Sequence, residues 1–183
     1  MTDEDIMNKV KNGNVQMLAI LFERHHVKLY NYFLRLTGNK SSSEDLVQDV
    51  FFRILKYRAS YRRESTFVVW MYRIGRNIHF DHLKKNKEAM SLDDLRDEEP
   101  SADPRPDQKT GLEQDNAFLH KALSLLPPAK REILVLSRFQ EMKYDDISNM
   151  LGCSLASVKT RVHRAIKDLR KTYLNLKVKG GIS

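Results

Sequence analysis

Residues 144–171, YDDISNMLGCSLASVKTRVHRAIKDLRK, admit few folds. Ile147, Met150 and Leu151 recur at helical spacing. Gly152 follows, where a helix can stop by entering the left-handed backbone region that glycine tolerates. Ser154 is then a natural N-cap, because its hydroxyl can take a backbone N–H that the next helix leaves unpaired. Leu155, Val158, Val162, Ala165, Ile166 and Leu169 return every three or four residues, so the spacing predicts a second, longer helix with one buried face. Its other face carries Ser157, Lys159, Thr160, Arg161, His163, Arg164, Lys167 and Lys171. A short helix, a glycine turn and a long basic helix form the pattern of a helix-turn-helix, whose second helix lies in the DNA major groove. An ordinary helical hairpin with a solvated charged face shares that pattern, so the rest of the chain has to decide.

Charge is divided unevenly. The net charge is +8. Residues 53–90 hold ten Lys and Arg against three acids, residues 154–179 eight against one, and residues 91–115 between them nine acids against three bases. Two basic zones with an acidic spacer suit two grips on a polyanion, since each phosphate neutralised releases counterions. With 41% hydrophobic residues, only 7 Gly and 5 Pro and little strand-like alternation, an all-α fold is expected. No apolar run approaches the ~20 residues of a membrane span, and the acidic start MTDEDIMNKV is unlike a secretory signal. Cys153 is the single cysteine, which excludes an internal disulfide and any multi-cysteine metal site. A cytoplasmic chain is expected.

Along the chain, residues 3–11 predict a short helix with Ile6 and Val10 inward. Residues 15–36 predict a long one with Leu18, Phe22, Leu29, Phe33 and Leu36 on one side. After Thr37-Gly38-Asn39, Ser41 with Glu44 fits a capping box, and the helix that it opens runs to about Tyr57. That helix has unlike faces: Leu46, Val47, Val50, Ile54 and Leu55 suit a core, whereas Asp45, Gln48, Asp49, Phe52 and Arg53 form the mixed surface that a protein partner uses. A polar bend over 60–66 leads into residues 67–85, where Phe67, Trp70, Tyr72 and Phe80 interleave with Arg73, Arg76, Lys84 and Lys85. Aromatics beside bases suit a surface that holds phosphates and stacks unpaired bases. Phe67 and Trp70 read better as core, and Arg73, Arg76, Asn77 and Asp81, one turn apart, as contacts. The acidic, proline-bearing segment 89–115 reads as a linker; 25 extended residues reach about 80–90 Å, enough to place two domains two duplex turns, roughly 70 Å, apart. Beyond it, Phe118, Ala122, Leu123, Leu125 and Leu126 make a helix cut by Pro127-Pro128, and Ile133, Leu134 and Leu136 supply a second. The expected domains are residues 1–88 and 116–176, with a basic tail at 177–183.

These motifs resemble those of bacterial RNA polymerase sigma factors of the sigma-70 family, in the extracytoplasmic-function (ECF, group IV) class. The resemblance runs over residues 10–174 and is carried by FERHHVKLYNYFLRLTGN, SEDLVQDVFFRIL, WMYRIGRN with Asp81, and LPPAKREILVLSRFQEMKYDDISNMLGCSLASVKTRVHRAI, in that order. It implies two helical domains, sigma-2 and sigma-4, joined by a linker that passes through the polymerase RNA-exit channel. It also implies that Asp45, Gln48, Asp49, Phe52 and Arg53 dock on the clamp helices of the polymerase beta-prime subunit, with sigma-4 on the beta flap. Tyr61, Arg62, Arg63, Ser65 and Thr66 would capture a base flipped from the −10 element, and Arg73, Arg76, Asn77, Asp81 and Lys84 would contact the same element. Ser157, Lys159, Thr160, Arg161, His163, Arg164 and Lys167 would read or hold the −35 duplex, Arg161 and Arg164 foremost. An anti-sigma factor or another regulatory protein is the implied partner besides polymerase and promoter DNA. Ala156-Ser157 departs from the small residue and glycine common in relatives, so the promoter sequence is not implied.

Two rival readings compete with this one. An enzyme would need a metal site or nucleophile. His79, Asp81 and His82, or His25 and His26, lack a third ligand at suitable spacing, and no phosphate loop, nucleophile elbow or carboxylate pair is present. No cofactor is therefore expected. A stand-alone helix-turn-helix regulator with an N-terminal sensing or dimerisation domain would not need the aromatic-basic helix of the first domain.

Overall fold

The computed structural model describes the backbone of residues 1–92 and 111–179, and the side chains of 1–85 and 115–179. It divides into two compact units, Met1–Pro100 and Ser101–Ser183. Among the described residues every regular element is a helix.

The first unit holds α1 (Asp3–Lys11), α2 (Leu18–Thr37), α3 (Lys40–Lys56) and α4 (Phe67–Leu92). Helix α1 starts at a reciprocal cap: Asp5 N–H donates to Thr2 Oγ1, and Thr2 N–H donates to Asp5 Oδ2. Its Ile6, Met7 and Val10 are fully buried, which holds this short helix on the bundle. Helix α2 buries Leu21, Leu29, Tyr32, Phe33 and Leu36. Leu18 and Phe22, expected inward, are half-buried instead, because the buried arc centres on Leu21 and Tyr32. Gly38 closes α2 in the left-handed region (φ 70°). The cap of α3 lies two residues before the expected one: Asn39, not Ser41, accepts the N–H of Ser42 at 2.9 Å. The buried Ser43 hydroxyl then donates to the Asn39 carbonyl, so the short turn fixes where the helix begins. Gly75 lets α4 approach closely, since a Cβ there would lie 3.2 Å from the Phe33 ring and 3.5 Å from Val50.

The second unit holds α5 (Gly111–Ser124), α6 (Pro128–Leu134), α7 (Tyr144–Leu151) and α8 (Leu155–Lys179). Ala122, Leu123, Leu126, Ile133, Leu134, Val135, Leu136, Ile147, Met150, Val158, Val162 and Ala165 form its core. Arg131 closes α5 by donating to the carbonyls of Leu123 (3.1 Å), Ser124 and Leu126 (3.2 Å), at and just beyond a helix end, where carbonyls run short of backbone donors. After α6 the chain widens into one π turn over Val135–Phe139. Two hydrophobic expectations fail here: Leu125 is 60% and Ile166 37% exposed. Each flanks a buried stripe whose arc is already filled, by Leu123 and Leu126 in one case and by Val162 and Ala165 in the other.

The helices also reach into the expected linker: α4 runs to Leu92 and α5 begins at Gly111. The middle of the segment lies outside the described residues. The proposed basic tail is helical through Lys179, and its last four residues lie outside them too.

Candidate polymerase and nucleic-acid interfaces

Helix α3 turns two unlike faces outward and inward. Leu46, Val47, Val50, Phe51 and Ile54 fill the core, which forces Asp45, Gln48, Asp49 and Phe52 onto the opposite arc, all exposed. Phe52 is 63% exposed. Beside this face a groove of about 330 Å³ is lined by Phe22, His26, Val27 and Tyr30 of α2 and by Glu44, Val47 and Gln48 of α3. Its wall is ordered: His26 stacks on Phe22 with ring centroids 4.8 Å apart, and His26 Nδ1 lies 2.9 Å from the Phe22 carbonyl oxygen. The α2 half of this surface escaped the sequence reading, although Val27, exposed among polar neighbours, was its signal. Arg53 lies at the edge of the face with a guanidinium nitrogen 3.4 Å from Asp81 Oδ2 of α4. A residue assigned to polymerase and one assigned to the −10 element are thus one ion pair.

The bend before α4 departs most from expectation. Tyr61, proposed to meet DNA, is 1% exposed. Its ring packs on Trp70 (5.1 Å) and Phe67 (6.5 Å), because the arc of α4 facing α1 and α2 is aromatic and demands an apolar cover. Burial, with Glu4 nearby, pushes the Tyr61 phenol up. Tyr61 is therefore a core residue and cannot stack on a base in this conformation. Arg62, Arg63 and Thr66 remain exposed and Ser65 is half-buried. The Thr66 hydroxyl oxygen accepts the N–H of Val69 at 3.3 Å, capping α4.

Along α4, Arg73, Asn77, Asp81 and Lys84 are exposed at intervals of three and four, and Arg76 is half-buried over the Phe80 ring at 4.7 Å. Phe67 and Tyr72 are core, as burial of the Tyr72 phenol, which pushes its pKa far up, also indicates. Trp70 is only half-buried. The aromatic surface left for bases is thus narrower than the composition suggested.

The helix-turn-helix forms as its residues dictate. Gly152 sits at φ 62° and donates its N–H to the Ser148 carbonyl. The Ser154 hydroxyl oxygen accepts the N–H of Ser157 at 3.2 Å. Val158, Val162 and Ala165 bury the inner face of α8. Lys159, Thr160, Arg161, His163, Arg164 and Lys167 stand exposed on the outer one, and Ser157 is half-buried. Thr160 Oγ1 donates back to the Ala156 carbonyl. The first acid in α8 is Asp168, whose carboxylate is held low by the Lys130 ammonium hydrogen-bonded to it. The leading turns of α8 thus present cations without a competing carboxylate on the same helix.

Both units match known proteins. Residues 21–89 match the family model for sigma-70 region 2, and residues 119–169 that for sigma-70 region 4. The chain is 32% identical over 152 residues to the ECF RNA polymerase sigma factor SigE of Mycolicibacterium smegmatis, covering 82% of this chain and 59% of that longer protein. It is 28% identical to the ECF RNA polymerase sigma factor SigW of Bacillus subtilis, covering 93% of this chain and 96% of SigW. Among solved structures, the sigma factor RpoE of Bartonella quintana, in complex with the anti-sigma factor NepR, is similar with a TM-score of 0.67 and 25% identity over 86% of this chain and 94% of that one. CnrH, in complex with the cytosolic domain of CnrY, shares the fold with a TM-score of 0.70 at 21% identity, over 92% of this chain and 95% of that one. The α3 face and the basic stripe of α4 lie within region 2, the helix-turn-helix lies within region 4, and the chain belongs to the sigma-70 family of RNA polymerase sigma factors, in its extracytoplasmic-function class.

Proposed function

We propose that this chain binds core RNA polymerase, directs it to promoters through their −35 and −10 elements, and promotes the opening of the DNA. The observation that carries the reading is the pairing, in one chain, of a region-2 unit with an exposed Phe52 face and a region-4 unit whose last helix has basic leading turns free of acidic residues. Asp45, Gln48, Asp49, Phe52 and Arg53 form the polymerase contact, on the beta-prime clamp helices. Arg161 and Arg164 reach base edges in the −35 major groove. Lys159 and Lys167 hold phosphates and set register, with Ser157, Thr160 and His163 beside them. The second unit rests on the beta flap.

Opening requires bases to leave the stack, at a few kcal/mol for each one flipped. A protein favours this by binding the unpaired base and holding its backbone, with no catalytic group of its own. Arg62, Arg63, Ser65 and Thr66 form the receiving bend; Arg73, Arg76, Asn77, Asp81 and Lys84 track the strand along α4. With Tyr61 in the core, the pocket depends on the bend's polar groups and backbone rather than on a Tyr61 stack. The protein works in the cytoplasm, where polymerase and promoters are, and no helix among the described residues is long and apolar enough to cross a membrane. The RpoE complex supports an anti-sigma factor as a further partner. The region-2 match of residues 21–89 speaks against a sensing or dimerisation domain there, and so against a stand-alone regulator.

The test is co-elution of the purified chain with bacterial core RNA polymerase, followed by promoter-dependent run-off transcription. Failure to bind core, with tight operator binding by the chain alone, overturns the reading.

A further inference from the structure

Helix α1 precedes the segment matched as region 2, yet its first turn holds the bend together. Three consecutive acids go to three places. Asp3 takes Arg24 on one oxygen and His25 on the other, both from α2. Glu4 Oε1 accepts the N–H of Phe67, the first residue of α4, at 3.0 Å. Asp5 uses Oδ2 for the helix cap and Oδ1 for the Arg63 guanidinium. From the other end of α1, Lys11 Nζ donates to the Tyr61 carbonyl at 2.7 Å. The bend 61–66 is thus tied at its start, its middle and its end, all to one helix that is itself anchored by Ile6, Met7 and Val10.

A polar bend of this kind gives up backbone entropy for each residue held in one conformation. The ties from α1 offset that cost before DNA arrives. They turn the Tyr61 ring inward and leave Arg62 and Thr66 outward. Glu4 occupies an N–H that α4 would otherwise leave unpaired, at the helix end that favours a negative charge. Asp5 occupies Arg63, so a phosphate meeting Arg63 must displace a carboxylate, whereas Arg62 stands exposed beside it.

We propose that Glu4 and Lys11 of α1 are positioning residues for promoter opening: they fix the 61–66 bend in the shape that receives an unpaired −10 base, and so help to set base preference without touching DNA. This rests on the reading that the bend engages the −10 strand. The test uses holoenzyme reconstituted with Glu4→Ala, Glu4→Gln or Lys11→Met. Run-off transcription is measured over a panel of single-base −10 variants, with permanganate reactivity reporting strand opening. Glu4→Ala and Lys11→Met are expected to flatten the discrimination between −10 bases by about three- to tenfold, the effect of one lost hydrogen bond. Core affinity and the dependence on the −35 sequence should stay at wild-type values. Glu4→Gln keeps the acceptor and should restore the profile. An unchanged base profile in both variants, with normal opening by the wild type, overturns the proposal, as does a loss of core binding in parallel with opening. Should Glu4→Ala melt below the assay temperature, Lys11→Met alone decides. Absence of opening by the wild-type holoenzyme overturns the −10 reading itself, and the proposal with it.

Discussion

Phe52→Ala distinguishes a docking residue from a stray surface aromatic. The inward arc of α3 is already filled by Val50, Phe51 and Ile54, so the truncation removes little that the fold uses. The stability change is expected to stay within about 0.5 kcal/mol, as for other surface substitutions. Binding is affected far more. A phenylalanine can bury roughly 150–250 Å². With the residue 63% exposed, roughly 100–150 Å² remains for a partner to cover, worth about 2.5–4 kcal/mol at ~25 cal/mol per Å². Ordering at the interface offsets part of this, leaving about 2–3 kcal/mol, or roughly a 30- to 150-fold weaker Kd. The assay is fluorescence anisotropy of the labelled chain titrated with core polymerase, beside a thermal melt and a −35 duplex titration. An unchanged Kd refutes the assignment of the α3 face. So does a weaker Kd accompanied by an equivalent fall in melting temperature, which would make Phe52 structural.

Arg161→Ala should lose −35 discrimination, about 1–3 kcal/mol for a bidentate base contact, while leaving core binding intact; equal loss of both in transcription and co-elution assays would contradict its place on the DNA-facing side of α8. Arg131→Met removes the donor to three carbonyls at the end of α5. It should destabilise the second unit by about 2–3 kcal/mol, roughly 10–20 °C in melting temperature, and calorimetry that finds no shift would show that water serves those carbonyls equally well. Asp3 and Asp5 predict an acid limit. Burial raises the Asp3 pKa, but hydrogen bonds from Arg24 and His25 outweigh it; the Thr2 hydroxyl and then Arg63 lower that of Asp5, so both carboxyls lie below 3.8 in the folded chain. The unfolded chain then binds more protons as pH falls, and the stability these groups give is complete above that value and lost below it. The melting temperature of the wild type should fall more steeply below about pH 4 than that of Asp3→Asn; parallel curves would remove Asp3 from the account.

Much of the site could be read along the chain because it is local. The stop at Gly152, the Ser154 cap and the cationic stripe of α8 depend on spacings of one helical turn, and so does the outward arc from Asp45 to Phe52. Local rules also misled where two candidates competed over a few residues. Ser41 with Glu44 makes a plausible box, but the geometry of the Thr37–Asn39 turn hands the cap to Asn39. A run such as Leu123, Leu125, Leu126 does not say which leucine faces out, because its neighbours in space set the width of the buried arc.

By itself, the sequence determined that this chain is helical, divided by an acidic segment into two basic units, and equipped with a helix-turn-helix and a two-faced α3. Helical periodicity, caps and charge act over a few residues and leave their mark in order. Only the tertiary structure decided that Tyr61 belongs to the core, that Arg53 and Asp81 meet, and that Glu4, Asp5 and Lys11 hold the bend some 50–63 residues away. Those contacts depend on which helix faces packed together, and an exposed-looking tyrosine in a polar bend carries no trace of the aromatic surface that will cover it.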